Sequence, residues 1–364
     1  VLEHPERIPE LVADAKALGA TDLFVQVYRR GFAWWPSEVA PPAPRFAAVL
    51  DATPAGSPTP FARLIAAAHA EGLKVHAWIN LLSLGSNRDA AVVRALGPAA
   101  LQVDRRGRSI LDYPDRRMPE PDAAFLEMGT PAIWIDPAAP GVASWHRRLV
   151  AELFSRHPGL DGLHLDYVRY PDVLPFTPGS RFTAGLDFGY GEATRARFHA
   201  ATGLEAPFGD ATANAQAWDD WRRGQLTSLV AALRLELRHL APRAVLSAAV
   251  FAWPSRAYLS IYQDWLGWLE AELLEAAVPM LYTLDARLLR YQAAAFAGGI
   301  GGDRVWVGLG FWLFRNEPAR AIEQMREMDR LGVAGRALFS WDSIVDAPAL
   351  RAALVEEAAR AARR

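Results

Sequence analysis

The chain has 364 residues, of which 51% are hydrophobic and 22% are charged, with 39 lysines and arginines against 41 aspartates and glutamates. This near-neutral balance gives no electrostatic reason to expect nucleic acid or an anionic membrane surface as a partner. Cysteine is absent, which excludes disulfides, thiolate catalysis and cysteine-based zinc sites. No apolar run is long enough to predict a transmembrane segment.

The aromatic content is high, with 13 Trp, 9 Tyr and 16 Phe. Core packing explains most aromatic residues in most proteins. Several of these tryptophans, however, stand beside prolines in segments that read as loops. Because flat indole rings stack on the apolar faces of sugars, the excess favours a carbohydrate ligand.

Seven short β-like runs alternate with amphipathic helix-like runs, which predicts a parallel sheet with right-handed crossovers. Several of the helix-like runs end at a glycine just before the next strand, as at Gly19, Gly72 and Gly332, which is the usual C-terminal signal. The β-like runs cover residues 23–28, 74–80, 162–167, 245–251, 277–282, 305–309 and 336–341.

The pattern predicts a single domain over residues 1–364 with a (β/α)8 TIM-type barrel fold. A closed barrel of this class has eight strands, and this chain opens on a helix-like run, residues 5–18. We therefore expect the first strand ahead of residue 1, with Val1 and Leu2 as its remnant. The alternative is an open barrel of seven strands.

Two connections are much longer than the usual few residues, and both follow the C-terminal end of a strand. They cover residues 81–139 and 171–214. Loops of this length at the C-terminal rim of a barrel usually carry function. We expect neither of them to form a separate domain.

Period-two alternation indicates which side chains face the barrel axis. In the run 162–167, His164 and Asp166 share the face opposite Leu163 and Leu165, so both should point inward, with Asp166 at the rim. A satisfied buried hydrogen-bond network is the alternative for the deeper polar groups. The same reasoning predicts polar inward side chains on the first two runs at Gln26, Tyr28, His76, Trp78 and Asn80.

Asp166 is the strongest candidate for a catalytic group, because a carboxylate inside a barrel is costly unless it is paired or functional. Glycoside hydrolysis needs a second carboxyl about 5 to 10 Å away. Asp136 and Asp342 could equally cap the helices that follow them. The sequence shows no metal-ligand or phosphate-loop pattern, so we expect no metal and no cofactor. The acids that could supply the second carboxyl are Asp136, Asp172, Glu192, Asp285 and Asp342.

Residues 160–171 (Leu-Asp-Gly-Leu-His-Leu-Asp-Tyr-Val-Arg-Tyr-Pro) resemble the fourth-strand signature of the glycosyl-hydrolase-like family 10 barrels, which are distinct from the family 10 xylanases. Further segments match that family in the same order, at residues 24–27 followed by 30–31, and at residues 74–80, 134–137 and 337–341. The resemblance covers nearly the whole chain. It implies an exported or lipid-anchored bacterial glycosidase, with cell-wall glycan strands as one substrate, and it also implies a strand ahead of residue 1.

The same segment is similar to the fourth strand of chitinase barrels, Asp-Gly-x-Asp-x-Asp-x-Glu. Asp161 and Asp166 match that pattern, but His164 replaces an aspartate and Val168 replaces the catalytic glutamate. A chitinase-type, substrate-assisted mechanism is therefore not expected. The acid has to come from another strand.

The sequence thus predicts a glycoside hydrolase in which Asp166 is the nucleophile or essential carboxylate, with Asp342 or Asp285 as its acid partner. His164 and Arg169 are expected to hold Asp166 ionised and oriented. The rivals are a non-catalytic glycan-binding barrel, favoured by the lack of an obvious second carboxylate, and an enzyme for another substrate at the same rim. The side chains expected to contact the substrate are Tyr28, His76, Trp78, Asn80, His164, Arg169, Tyr282, Trp312 and Trp341.

Overall fold

A computed structural model describes residues 1–176, 186–299 and 301–363. Strands and helices alternate through most of the chain. In chain order the strands are β1 (Asp22–Arg29), β2 (Phe32–Ala33), β3 (Lys74–Asn80), β4 (Ser83–Gly85), β5 (Leu126–Met128), β6 (Ile133–Trp134), β7 (Gly162–Asp166), β8 (Val173–Pro175), β9 (Val245–Phe251), β10 (Ala276–Met280), β11 (Trp306–Gly310) and β12 (Gly335–Phe339).

The helices follow the amphipathic runs of the sequence. Helix α3 shows how they are delimited: the Thr59 hydroxyl accepts a hydrogen bond from Ala62 N at the start, and Gly72 ends the run at φ +74, where a side chain would be strained. The helices are α1 (Ile8–Ala17), α2 (Pro44–Ala52), α3 (Pro60–Ala70), α4 (Ala91–Leu96), α5 (Val142–Arg156), α6 (Glu192–Thr202), α7 (Ala215–Leu240), α8 (Pro254–Ser260), α9 (Trp265–Glu270), α10 (Ala286–Ala297), α11 (Pro318–Leu331), α12 (Trp341–Val345) and α13 (Pro348–Ala361).

One eight-stranded sheet forms the centre, in the order β12-β11-β10-β9-β7-β3-β1-β2. Seven of these strands run parallel, and they are the seven that the sequence predicts; the eighth, β2, pairs antiparallel with β1. The predicted (β/α)8 barrel class is confirmed. Within the described part of the chain, β1 and β12 are not paired with each other. A strand ahead of residue 1 stays a prediction.

The alternation of side chains on β1 is broken by a bulge, and this overturns one prediction. Gln26 pairs with Trp78, but Tyr28 pairs with Ile79, so one extra residue stands between them. The bulge turns Tyr28 outward, where its ring packs 6.5 Å from that of Trp35 and is 1% exposed. The prediction that Tyr28 lines a sugar cleft is therefore wrong.

The other inward positions follow the expected alternation. The ring of Phe24 lies 4.8 Å from that of His76 and 4.9 Å from that of His164, inside the barrel. In register, His76 stands one row below Gln26 and Trp78, since it pairs with Phe24. The polar side chains inside the barrel thus lie at different depths, with His76 and His164 deeper and Asp166 at the C-terminal rim.

The two long connections contain short elements and are joined to each other. The first includes β4, α4, β5 and β6, and the second includes β8 and α6; residues 177–185 of the second lie outside the described part. Strand β5 pairs antiparallel with β8, with Glu127 opposite Leu174. Both segments therefore pack together on one side of the C-terminal rim. In the described part of the chain, no helix is long and apolar enough to cross a bilayer.

Candidate active site

A pocket of about 900 Å³ lies at the C-terminal ends of β1, β3, β7 and β12. It also extends between β1 and β12, where Phe24, Val25 and Leu11 contribute to its wall. Such a position is where parallel barrels place their sites. The predicted site residues that line this pocket are Trp78, Asn80, Asp166, Trp341 and Asp342.

Asp166, the last residue of β7, is held at both carboxylate oxygens. Tyr167 N donates to Oδ1 at 2.7 Å, and the Trp78 indole Nε1 donates to Oδ2 at 3.2 Å. Tyr167 adopts a left-handed backbone conformation with φ 54, which costs a non-glycine residue about 1 kcal/mol or more. In this conformation the backbone N–H of Tyr167 donates to the carboxylate of the preceding residue, Asp166.

Burial raises the pKa of Asp166 from 3.8 to about 6. The hydrogen bond from Tyr167 N, the charge of Arg169 and the hydrogen bond from Trp78 each lower it, but they do not offset the loss of hydration. Asp166 can therefore exchange a proton close to neutral pH. Shifts of this kind are typical of acid–base groups in active sites.

The two expected partners of Asp166 are placed differently. His164 Nδ1 bonds with the Ser247 hydroxyl at 2.9 Å, and burial lowers the pKa of His164 to about 3. The imidazole is therefore neutral above that pH. The prediction that His164 holds Asp166 ionised is wrong, because a neutral ring carries no charge to stabilise the carboxylate. Arg169 makes no hydrogen bond with Asp166; its guanidinium donates to the Thr130 hydroxyl at 3.2 Å.

A chain of hydrogen bonds orients Asn80 beside Asp166. Arg29 donates to Gln26 Oε1 at 3.2 Å, and Gln26 Nε2 donates to Asn80 Oδ1 at 3.1 Å. Asn80 is opposite Asp166 in the β3–β7 register. Because Gln26 engages the carbonyl oxygen of Asn80, the amide N–H groups are the donors that this side chain can offer to a ligand in the pocket.

Aromatic rings form one side of the pocket around Phe339, at the end of β12. Its ring centroid lies 5.6 Å from that of Trp78, 5.8 Å from that of Tyr282 and 5.4 Å from that of Trp312. Tyr282 and Trp312 thus support the wall from behind. Trp341 reaches the pocket itself, with its indole N–H donating to Asp14 of α1 at 2.9 Å.

Among the described residues, the carboxyl groups besides Asp166 that line the pocket are those of Glu3 and Asp342. Glu3 accepts a hydrogen bond from the Trp34 indole at 3.2 Å, while Asp342 is exposed in the first turn of α12. Asp285 is not brought to the pocket, because it caps α10 by accepting from Arg287 N and Leu288 N.

The other acids named from the sequence also lie outside the pocket lining. Asp136 is buried and accepts from the Thr194 hydroxyl at 2.6 Å, and Asp172 pairs with Arg256 at 2.6 Å. Glu192 is exposed in the first turn of α6. Asp342 therefore remains the predicted partner that shares a cavity with Asp166.

Several lining residues were not expected from the sequence. These residues include three arginines, Arg29, Arg30 and Arg45, together with Glu3 and Phe339. The Arg30-Gly31 pair was visible as part of a family motif. Phe339 likewise lies in the family-matched segment 337–341, whereas Glu3, Arg29 and Arg45 carry no local signal, because segments far apart in sequence bring them together.

Among the described residues, no group of three or more histidine or acidic side chains is placed to hold a metal ion. His76 illustrates why: its Nε2 bonds with Asp22 Oδ1 at 2.9 Å, while His164 bonds with Ser247.

Solved glycosidase barrels share this architecture. The GH42 β-galactosidase Gan42B from G. stearothermophilus aligns over 98% of this chain and 55% of its own, with a TM-score of 0.58 at 12% identity. The endo-1,4-β-mannanase from Rhizomucor miehei aligns over 99% and 91%, with a TM-score of 0.53 at 11% identity. At such identities the likeness is one of fold.

Sequence relatives are more specific. Glycosyl hydrolase DigH of Escherichia coli (strain K12) is 25% identical over 285 residues, which are 73% of this chain and 55% of DigH. The chain thus spans about half the length of the curated relatives that it matches. Residues 1–298 match the family described as glycosyl hydrolase-like 10. This chain belongs to the glycosyl hydrolase-like 10 family.

Proposed function

We propose that this protein hydrolyses O-glycosidic bonds in a bacterial polysaccharide, with Asp166 as its central acid–base group. The observation that carries the proposal is a carboxyl with a pKa raised to about 6, fixed by Trp78 and Tyr167 in a pocket of about 900 Å³. Membership of a glycosyl hydrolase-like family supports it.

The raised pKa changes the role that fits Asp166. A nucleophile has to be ionised, whereas a general acid has to carry a proton at the working pH, and a pKa near 6 suits the acid. We therefore assign proton donation to the leaving oxygen to Asp166. Asp342, exposed at the same pocket, is the partner that attacks the sugar or activates water.

The arginines of the pocket support a glycan that carries negative charge as the substrate. Arg29, Arg30 and Arg45 line it, and the guanidinium of Arg29 lies 5.9 Å from the Trp34 ring. Guanidinium groups recognise carboxylates, and indoles stack on sugar faces. Cell-wall glycan strands, whose muramic acid units bear carboxylates once the peptides are removed, combine both features and are the substrate that we propose.

We also propose that the protein acts outside the cytoplasm, since its family resemblance implies export and its substrate lies there. Fractionation of the producing bacterium, followed by immunodetection, tests this. Recovery of the protein in the cytoplasmic fraction alone would contradict it.

The second candidate is a non-catalytic glycan-binding barrel. It is favoured by the environment of the other pocket carboxyls: Glu3 is engaged by Trp34, and Asp342 is exposed rather than held. Such a protein would bind glycan strands without cleaving them.

Release of reducing ends from peptide-free glycan strands separates these functions. We expect release by the wild type and a rate lower by about 100-fold or more for Asp166→Asn, the range of general acid catalysis. Asp285→Asn is the matched control, because it makes the same change at an exposed rim acid and should retain activity. Full activity of Asp166→Asn would contradict the proposal, and strand binding without release by the wild type would favour the second candidate.

A further inference from the structure

Large exposed apolar side chains are concentrated in one sector of the barrel rim. Among the described residues ten such side chains are exposed, and half of them fall between positions 253 and 291. This segment holds the connections that follow β9 and β10, on the C-terminal side of the sheet. The five are Trp253, Tyr258, Leu259, Leu284 and Tyr291.

Three aromatic rings of this sector form what we call the rim platform: Trp253, Tyr258 and Tyr291. The rings of Trp253 and Tyr291 have centroids 6.0 Å apart and planes inclined by 41°, yet they remain 41% and 67% exposed. The guanidinium of Arg223 lies 3.9 Å from the ring centre of Tyr258, and Arg223 also donates a hydrogen bond to the Tyr258 carbonyl. The rings are thus supported from within the protein and open toward solvent.

Side-chain contacts tie the rim platform to the turn that follows Asp166. Arg256, on the same helix as Tyr258, pairs with Asp172 at 2.6 Å, and its guanidinium lies 5.5 Å from the Phe251 ring. Arg169 lies 4.9 Å from that same ring and 5.2 Å from the ring of Tyr167, which lines the pocket. A series of side-chain contacts therefore connects the helix that carries Tyr258 with the pocket at the C-terminal end of the barrel.

We propose that the rim platform binds sugar units of the polysaccharide several units away from the bond that is cleaved. The choice of ligand rests on the function proposed above, because a polymer held in the pocket continues across the rim. Exposed indole and phenol faces offer flat apolar surface with a polar edge, which matches a pyranose ring. Trp253 and Tyr291 pack against each other while both remain exposed, which leaves two adjacent aromatic faces available to a ligand.

Chain-length dependence tests the rim platform. For the double variant Trp253→Ala, Tyr291→Ala, we expect KM on long peptide-free glycan strands to rise about tenfold more than KM on tetrasaccharides, a differential of about 1.4 kcal/mol. Leu235→Ala, which removes an equally exposed apolar side chain from α7, is the matched control and should leave the KM values of both substrates as in the wild type.

A binding assay separates this proposal from the proposed function. Asp166→Asn protein is sedimented with insoluble glycan strands, with and without the two rim platform substitutions. Loss of co-sedimentation on substitution supports the rim platform even if the wild type releases no reducing ends. Equal changes of KM on long and short substrates, unchanged co-sedimentation, or a platform that only mediates self-association in size-exclusion chromatography would overturn it.

Discussion

The indole N–H of Trp78 donates a hydrogen bond of 3.2 Å to Oδ2 of Asp166. The two residues stand on neighbouring parallel strands, with Trp78 opposite His164 and Asn80 directly opposite Asp166, so they are two register positions apart. Trp78 therefore does two things: it forms part of the pocket wall, and it stabilises the ionised form of the carboxyl. The pKa of Asp166 is therefore set by Trp78 on the neighbouring strand as well as by burial.

Replacing Trp78 by phenylalanine removes that donor and keeps an aromatic ring. In the wild type this hydrogen bond lowers the pKa of Asp166, so its removal should raise that pKa further above 6. The alkaline limb of the pH–rate profile should then move to higher pH. A hydrogen bond to a charged group contributes about 1.5 kcal/mol or more, and its loss from the carboxylate that forms during proton transfer should lower kcat about tenfold. Trp268→Phe, which removes an indole donor to Thr227, is the control and should leave the limb in place. An unmoved limb in Trp78→Phe would contradict this role.

Asp166→Asn should make the protein more stable at neutral pH. The folded state raises the pKa of this carboxyl from 3.8 to about 6, so the contribution of this group to stability is fully present below about pH 4 and is lost as the pH rises through about 6. The uncharged amide avoids that loss, and the gain at pH 7 has an upper limit of about 3 kcal/mol. Urea unfolding of both proteins at pH 4 and pH 7 measures it. An identical stability difference at the two pH values would contradict the raised pKa.

Tyr28→Phe should leave catalysis unchanged, because the bulge of β1 directs Tyr28 into the packing around Trp35. Burial raises the pKa of its phenol to about 12, and removal of the hydroxyl should change stability by about 1 kcal/mol or less. Trp34→Ala serves for comparison, since Trp34 lines the pocket and should lower kcat/KM. A large loss of kcat/KM in Tyr28→Phe would restore the original assignment.

Gln26 is expected to act as a positioning residue through Asn80. In Gln26→Leu the Asn80 amide loses the donor that fixes its orientation, so kcat should fall about tenfold while the free energy of unfolding changes little. If the effect passes through Asn80, the double variant Gln26→Leu, Asn80→Ala should be no slower than Asn80→Ala alone. Additive losses would show that Gln26 acts by another route.

The fold was predictable because it is encoded locally. All seven parallel strands and the glycine that ends α3 follow from periodicity and turn chemistry. The same alternation places Asp166 inward and at the rim, since β7 pairs with β3 in unbroken register. The bulge after Gln26 has no comparable signature in the sequence, and it reverses the direction of Tyr28.

The partners within the site were less predictable, because they depend on side chains from distant segments. His164 bonds with Ser247 rather than with Asp166, and nothing near His164 in the sequence indicates that choice. Phe339 and Glu3 reach the same pocket from opposite ends of the chain. The balance between burial and hydrogen bonding that sets the pKa of Asp166 likewise emerges only in three dimensions.

The pH dependence of kcat/KM on peptide-free glycan strands tests the central claim most directly, because it reports the protonation of the free enzyme's essential acid. For the wild type we predict a rate that falls as the pH rises through about 6, where Asp166 loses its proton. For Asp166→Asn we predict that this limb disappears together with most of the activity. A wild-type rate that stays constant or rises between pH 5 and pH 8 would contradict the assignment of Asp166 as the proton donor.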